Sequence, residues 1–491
     1  MPSSKPNFVF ILTDQQRRDS LGCYGNPVVR TPNLDRLAGE GVVFENSFTA
    51  NVVCMPSRAS LLTGRYPRAH RLIINGMPLS FDEITLPQVL AEDGYRTASV
   101  GKIHLAPHKE PRTSYRSPEG PEWHAENRPM PLPYYGFQQT QLALGHPDDW
   151  TDYYRELKSI DPELPALWKP ERALRPLTGA PSSWKSAMPE AHHSSTWVAD
   201  KAIERLEESA ERDDPFFLFV GFPDPHFPYC PPAPWCDRYD PEAVPMPRRR
   251  RDEAEGKPED YQERLRKFAK SLPYHPMDIP DAHVREIIAH TYGMVSLLDK
   301  NVGRIMAALD RLDLTEETVV VFTSDHGEHL GDHWLIYKCA PYDELIRLPM
   351  IWRWPGRFPP GSRIPGLFSH VDVMPTMLEL TGISNPRGVQ GQSFVPALCG
   401  QEVQGRPWVF LEDDEADGIG FLRTLRTPDF RISYYLPQRD GELYDLREDP
   451  DEFVNRWSDP KYRAVREELL LLMLEAAMQA CDPKPERTYL C

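Results

Sequence analysis

Asn7-Phe8-Val9-Phe10-Ile11-Leu12-Thr13 is an unbroken apolar run that stops at Asp14-Gln15-Gln16-Arg17-Arg18, and this junction decides the fold. A short continuous run of this kind suits a parallel strand buried on both faces; strict alternation would mark a sheet with one wet face. Polar residues at the carboxyl end of such a strand stand where open α/β sheets hold ligands. Thr318-Val319-Val320-Val321-Phe322-Thr323 repeats the pattern and runs into Ser324-Asp325-His326-Gly327-Glu328. Working outward, strands are expected at 42–48, 95–100 and 215–221, with helices at 33–38, 198–211 and within 282–310. Such alternation specifies an α/β fold, a large and mostly parallel mixed sheet sandwiched by helices.

After about residue 385 the pattern changes to short strands at 408–411, 421–424, 430–435 and 442–446, then an amphipathic helix at 462–480. The expected division is a catalytic α/β domain over 1–385 and a small C-terminal domain over 386–491, an antiparallel sheet plus a helix. Stretches 105–190 and 228–280 are rich in Pro, Trp and charge and lack periodicity; they read as inserted binding loops or homo-oligomer contacts. Within the second, Arg248-Arg249-Arg250-Arg251 reads as a solvated loop balanced by Asp252, Glu253 and Glu255.

Composition excludes several classes of function. The 491 residues hold 56 Lys+Arg against 73 Asp+Glu, a net charge of −17, which argues against a nucleic-acid partner. No apolar run approaches the roughly 18–20 residues that span a bilayer, so no membrane partner is expected. The N-terminal apolar run lacks a small-residue cleavage site and reads as a strand, which predicts a cytoplasmic protein. The eight cysteines are scattered and form no CxxC pair, so no disulfide framework is expected. Cys230 and Cys236 read as free thiols, and Cys491 as exposed.

Asp14 and Asp325 each follow an apolar strand, and in a parallel sheet both carboxylates would meet at one edge. With Gln15 and His326 they offer three oxygens and a nitrogen to a divalent cation; as isolated residues they would serve equally as strand-end polar groups or helix caps. In Val53-Cys54-Met55-Pro56-Ser57-Arg58-Ala59-Ser60-Leu61-Leu62-Thr63-Gly64-Arg65, Pro56 suits a first helical turn and Gly64 a helix stop. Cys54 would then lie just before the helix N-terminus, facing N–H groups that favour an anion. The residues alone allow a nucleophilic cysteine near Arg58 or a buried structural thiol.

Cys-Met-Pro-Ser-Arg followed by Ala-Ser-Leu-Leu-Thr-Gly-Arg resembles the C-x-P-x-R activation motif of the sulfatase family, in the alkaline phosphatase superfamily. The resemblance extends over Thr13-Asp14, Thr31-Pro32-Asn33-Leu34-Asp35-Arg36-Leu37-Ala38, Gly101-Lys102-Ile103-His104-Leu105, Pro225-His226-Phe227-Pro228-Tyr229, Ser324-Asp325-His326-Gly327-Glu328 and Tyr337-Lys338, in order. It implies that Cys54 is oxidised to formylglycine by a formylglycine-generating enzyme. Asp14, Gln15, Asp325 and His326, with modified Cys54, would bind one metal ion. Arg58 would hold the aldehyde hydrate, Lys102 and His104 the hydrate and ester oxygens, and His226 and Lys338 the ester from the other side, His226 protonating the leaving alcohol. One hydrate hydroxyl would attack sulfur to form a hemiester, and collapse of the second to the aldehyde would release it. The implied substrate is a small anionic ester.

The pairs Asp14-Gln15 and Asp325-His326 depart from the Asp-Asp and Asp-Asn of many sulfatases. They resemble choline-sulfatase-like enzymes and phosphonate monoester hydrolases, and the less anionic, softer set favours Mn²⁺ over Ca²⁺. Lys102 and His104 match the sulfatase branch, whereas phosphonate hydrolases carry hydroxyl side chains there. The expected activity is sulfate monoester hydrolysis. Phosphonate monoester or phosphodiester hydrolysis is the alternative, then a non-catalytic anion binder whose Cys54 is never oxidised. Asn75, before Gly76, is a candidate substrate contact or only a turn residue. His329, Asp332 and His333 crowd near the metal pair and are left outside its ligands.

Overall fold

The computed structural model describes residues 5–482 apart from 110–114, 126–127, 146–149, 260, 264, 267–271, 273, 339, 416–419 and 437. Cys339 and Cys491 lie outside the described residues. The first apolar run is strand β1 (Asn7–Thr13), and the strands that follow are β2 (Val42–Phe48), β3 (Arg96–Gly101), β4 (Gln139–Leu142), β5 (Phe216–Gly221), β6 (Thr318–Ser324), β7 (Arg347–Leu348), β8 (Met350–Arg353) and β9 (Ser362–Ser369). They form one nine-stranded sheet in the order β4-β3-β5-β1-β6-β8-β2-β7, with β9 paired to β2. The four strands β3, β5, β1 and β6 are mutually parallel, while β8 runs antiparallel to both β6 and β2.

Both faces of β1 are buried, as its unbroken apolar run requires. Val9 and Ile11 pack on one side with Val198, Ala202 and Leu206 of the Ser194–Ala210 helix and Ile287, Val295 and Leu298 of the Asp281–Arg311 helix. Phe8, Phe10 and Leu12 point to the other side, onto Met55, Ala59 and Leu62 of the Cys54–Thr63 helix and Met374 and Leu378 of the Val373–Thr381 helix. At about 1.5–3 kcal/mol for each large apolar side chain buried, these two cores hold the sheet in place.

The register of the central strands assembles the site. Thr13 of β1 pairs with Ser324 of β6, so the next residues, Asp14 and Asp325, emerge side by side. Gly101 of β3 pairs with Gly221 of β5, and Leu12 pairs with that same glycine, so Lys102 and the segment after Gly221 leave from the same edge. Gly101 has φ 88°, and a Cβ there would lie 2.0 Å from the Gly221 carbonyl oxygen, so only glycine lets these two strands close.

β10 (Val409–Glu415), β11 (Gly420–Arg426), β12 (Phe430–Leu436) and β13 (Asp440–Asp445) form an antiparallel sheet. The Arg463–Gln479 helix covers it through Leu469, Met473 and Ala476, which meet Phe410, Leu425, Ile432 and Leu443. A buried polar network ties this sheet to the rest. Lys257 donates to the hydroxyls of Tyr342 (2.8 Å) and Tyr444 (2.6 Å), and the Glu442 carboxylate accepts from Tyr342, Tyr435 and Tyr444, each at 2.8 Å. Arg431 Nη1 lies 3.5 Å from the same carboxylate.

Two expectations need correction. The arginine run is not balanced mainly by the acids that follow it. Only Arg250 pairs with Asp252 (3.0 Å); Arg248 reaches Asp332 (2.9 Å) and Asp451 (3.1 Å), and Arg249 reaches Asp281. The long guanidinium side chains of Arg248 and Arg249 reach carboxylates that neighbouring elements bring against the loop. The stretch 105–190 also contains regular elements, β4 and the Asp152–Ile160 helix, despite its proline content. Cys230 and Cys236 are free and buried. Among the described residues no helix is long and apolar enough to cross a membrane.

Candidate active site

Cys54 is the first residue of the Cys54–Thr63 helix, which begins one residue earlier than expected, with Val53 as the extended residue before it. Pro56 falls in the first turn, and Gly64 ends the helix in the left-handed conformation (φ 63°). Asn75 holds this turn from outside: its side-chain oxygen accepts from the Met55 N–H at 2.9 Å. The structure thus places Asn75 beside the Cys54 turn, with its amide oxygen used by the helix end.

One ligand atom from each of Asp14, Cys54, Asp325 and His326 lies within 4.8 Å of every other, and all four residues are buried. His326 Nδ1 donates to the Gly327 carbonyl (2.9 Å), which leaves the Nε2 lone pair facing Cys54 Sγ (3.2 Å) and the oxygens of Asp325 (3.7 Å) and Asp14 (3.8 Å). Burial, with Lys338 adding to it, pulls the ring down to about 4, so it stands neutral as a ligand must. Gln15, at φ 64°, binds Glu328 through its amide nitrogen, and its amide oxygen is buried without a hydrogen-bond partner. A bare amide oxygen, two carboxylates and an aligned imidazole fit a divalent cation, and unsatisfied buried oxygens are costly without one.

Cations surround this group. Arg58 is fully buried; it donates Nε to Asp325 (2.8 Å) and Nη1 to the Lys102 carbonyl (2.7 Å), and its Nη2 stands 3.6 Å from Asp14. Lys102 Nζ reaches Asp14 at 2.5 Å. Burial would raise the Asp14 carboxyl, but Lys102, His226, Arg58 and Lys338 outweigh it and hold Asp14 well below the usual carboxylate range. The Cys54 thiol is pushed up by burial and then by Asp14. An unmodified Cys54 is therefore a poor thiolate, which weighs against a plain cysteine nucleophile.

On the far side Lys338 Nζ lies 2.6 Å from Cys54 Sγ, 3.0 Å from His326 Nε2 and 3.3 Å from His226 Nε2. His226 donates Nδ1–H to the Phe227 carbonyl at 2.6 Å, which turns Nε2 towards Lys338. His104 is buried, with Nε2 2.8 Å from His108 Nδ1. The structure therefore gathers Asp14, Gln15, Cys54, Arg58, Lys102, Asp325, His326, His226 and Lys338 around one point, with His104 beside Lys102.

His329 and His333 instead face Glu344 and Glu253, and Asp332 pairs with Arg17 (2.9 Å). They form a buried charge cluster behind the site. Sequence reasoning gave no role to Glu119, Glu328 and His108. Glu328 lies in the Ser324–Glu328 run and His108 four residues after His104, whereas Glu119 left no signal.

The sulfatase family model matches residues 6–383, and a model for the C-terminal region of N-sulphoglucosamine sulphohydrolase matches residues 331–479. An arylsulfatase of Clostridium perfringens is 29% identical over 94% of this chain and 92% of its own. A choline-sulfatase of Rhizobium meliloti is 27% identical over 94% of this chain and 84% of its own. The crystal structure of a phosphonate monoester hydrolase of Agrobacterium radiobacter superposes with a TM-score of 0.82 at 28% identity, covering 97% of this chain and 96% of that one.

Proposed function

The chain belongs to the sulfatase family and is a sulfuric ester hydrolase, and from that premise we propose that it hydrolyses sulfate monoesters through a formylglycine made from Cys54. The observation that carries the reading is the position of Cys54, at the open end of a helix and between Lys338 and the Asp14–His326–Asp325 group. Maturation would require a formylglycine-generating enzyme, and the metal would be Mn²⁺ rather than Ca²⁺ because one carboxylate is replaced by an amide and an imidazole is added to the ligand set.

The aldehyde hydrate would supply a nucleophilic hydroxyl, and a metal held by Asp14, Gln15, Asp325 and His326 would draw charge from the ester oxygens. The chain's own groups do the rest. Lys102, at Asp14, and Lys338, at Cys54, neutralise the anionic ester, which an anionic nucleophile would otherwise repel. Arg58, committed to Asp325 and the Lys102 carbonyl, fixes the relative position of metal ligand and lysine. Burial and then Lys338 hold the His226 imidazole well below its ordinary value. A bound oxyanion offsets Lys338 and favours the imidazolium, whose Nε2 proton then stands beside the leaving oxygen.

A sulfate monoester presents three terminal oxygens to these donors. A phosphonate replaces one with carbon and leaves a buried donor unpaired, which costs about 1–3 kcal/mol, or roughly 5- to 150-fold in rate. Comparing kcat/KM for an aryl sulfate and the matched aryl phenylphosphonate tests the proposal; the sulfate is expected to be faster, with measurable phosphonate turnover. Phosphonate monoester hydrolysis is the second reading, supported by the similarity to the Agrobacterium enzyme, and faster phosphonate turnover would establish it instead.

A further inference from the structure

His104 is immobilised twice over. Its backbone has φ 59°, a conformation rare outside glycine. The buried Glu119 carboxylate holds it there, accepting from the N–H groups of His104 (2.8 Å), Leu105 (2.9 Å) and Ala106 (3.1 Å). Its ring meets that of His108 edge to face at 4.5 Å between centroids, with His104 Nε2 2.8 Å from His108 Nδ1. One polar atom of the ring is left over: His104 Nδ1 is buried and has no hydrogen-bond partner. The charged groups that act on this ring are Lys102, Arg58 and Asp14, which are those of the active site.

Burial, and then Lys102, keep both rings neutral, His104 well below its ordinary value and His108 at about 3. A neutral imidazole carries one N–H, so in the His104–His108 contact one nitrogen donates and the other accepts. If His104 donated from Nε2, its buried Nδ1 would carry only a bare lone pair and could donate to no oxyanion. If His108 donates from Nδ1, His104 accepts at Nε2 and keeps its own hydrogen on Nδ1, free for an oxyanion.

We propose that His108 is a positioning residue: by donating Nδ1–H to His104 Nε2 it fixes the tautomer in which His104 offers Nδ1–H to an oxygen of the bound ester. The inference rests on the oxyanion-ester reading given above, but its first test needs no turnover. In ¹⁵N-histidine-labelled enzyme loaded with diamagnetic Ca²⁺, the His104 resonances, identified by their loss in His104→Asn, should show Nδ1 protonated and Nε2 bare. His108→Asn places an amide N–H close to where Nδ1 stood, and should keep both that tautomer and kcat/KM near the wild-type value. His108→Ala should lose the tautomer preference and roughly 5- to 150-fold of kcat/KM, the effect of one unmade buried donor. A wild-type His104 protonated at Nε2, or His108→Asn falling as far as His108→Ala, overturns the proposal. Failure of the ester reading looks different: no turnover of sulfate or phosphonate esters, with the His104 tautomer intact.

Discussion

Lys338 carries its ammonium to 2.6 Å from Cys54 Sγ, joining residues 284 positions apart. In the proposed formylglycine, the oxygen that replaces that sulfur would inherit a cation at hydrogen-bond distance. Lys338→Met removes a charged donor worth about 1.5–3 kcal/mol, so kcat/KM should fall roughly 10- to 150-fold. Steady-state kinetics on an aryl sulfate measures this, and an unchanged rate would remove Lys338 from the reaction.

Cys54→Ala should fold normally and be inactive, since the side chain is small and sits at a helix end. In wild-type enzyme a peptide spanning Cys54 should trap a hydrazide and show the mass lost when a –CH₂SH side chain becomes –CHO. Full activity with an intact thiol would defeat the formylglycine mechanism.

Asp14→Ala and Asp325→Ala should each lose bound metal together with activity, as read by elemental analysis. Asp325→Ala should also unfold more easily, by about 3–5 kcal/mol, because Arg58 keeps its charge in a fully buried place without its 2.8 Å partner. Full metal occupancy in Asp325→Ala would move the metal site elsewhere.

His226→Ala should slow esters of poor leaving groups, by up to roughly 10²–10⁴-fold, and spare good ones, because only a basic leaving oxygen needs a proton. The measurement is a plot of rate against leaving-group acidity, which should steepen in the variant. An unchanged slope would assign the proton to another group.

Glu442 predicts an acid limit. Burial would raise its carboxyl, but Arg431, Lys257 and the tyrosine hydroxyls hold it at about 2, against an ordinary value of 4.5. Its contribution to stability is complete above pH 4.5 and is lost as the pH falls towards 2, on the order of 3 kcal/mol over that window. Thermal unfolding from pH 7 to 3 should therefore be less pH-dependent in Glu442→Gln than in wild type. Parallel curves would show that this carboxylate does not set the limit.

The central strands β1, β5 and β6 were legible because burial on both faces demands unbroken apolar runs. Their carboxyl ends then marked Asp14 and Asp325 as partners. The side-by-side placement of the two rests on the Thr13–Ser324 register, a contact across more than three hundred residues that no local pattern encodes. β4 went unread because Gln139-Thr140-Gln141-Leu142 is polar, as an edge strand allows. β9 went unread because Pro365 and Gly366 interrupt it where its pairing with β2 slips register. Glu119 and His108 lie in a proline-rich stretch, where contacts follow from chain path rather than period.

Every residue of the Cys54–Thr63 helix is buried, Cys54 to 1% exposure. Once that helix is packed, no second protein reaches the sulfur. It cannot complete its packing before its partners exist, and these include Asp325 just beyond β6, which accepts from Ser57 (2.5 Å) and Arg58 (2.8 Å). His326, just beyond β6, follows Cys54 by 272 positions. At about 5–20 residues per second, a ribosome covers that distance in roughly 14–54 s. For that interval the Cys-Met-Pro-Ser-Arg segment is an open peptide, and late closure of the sheet would set the time available for the proposed conversion of its side chain.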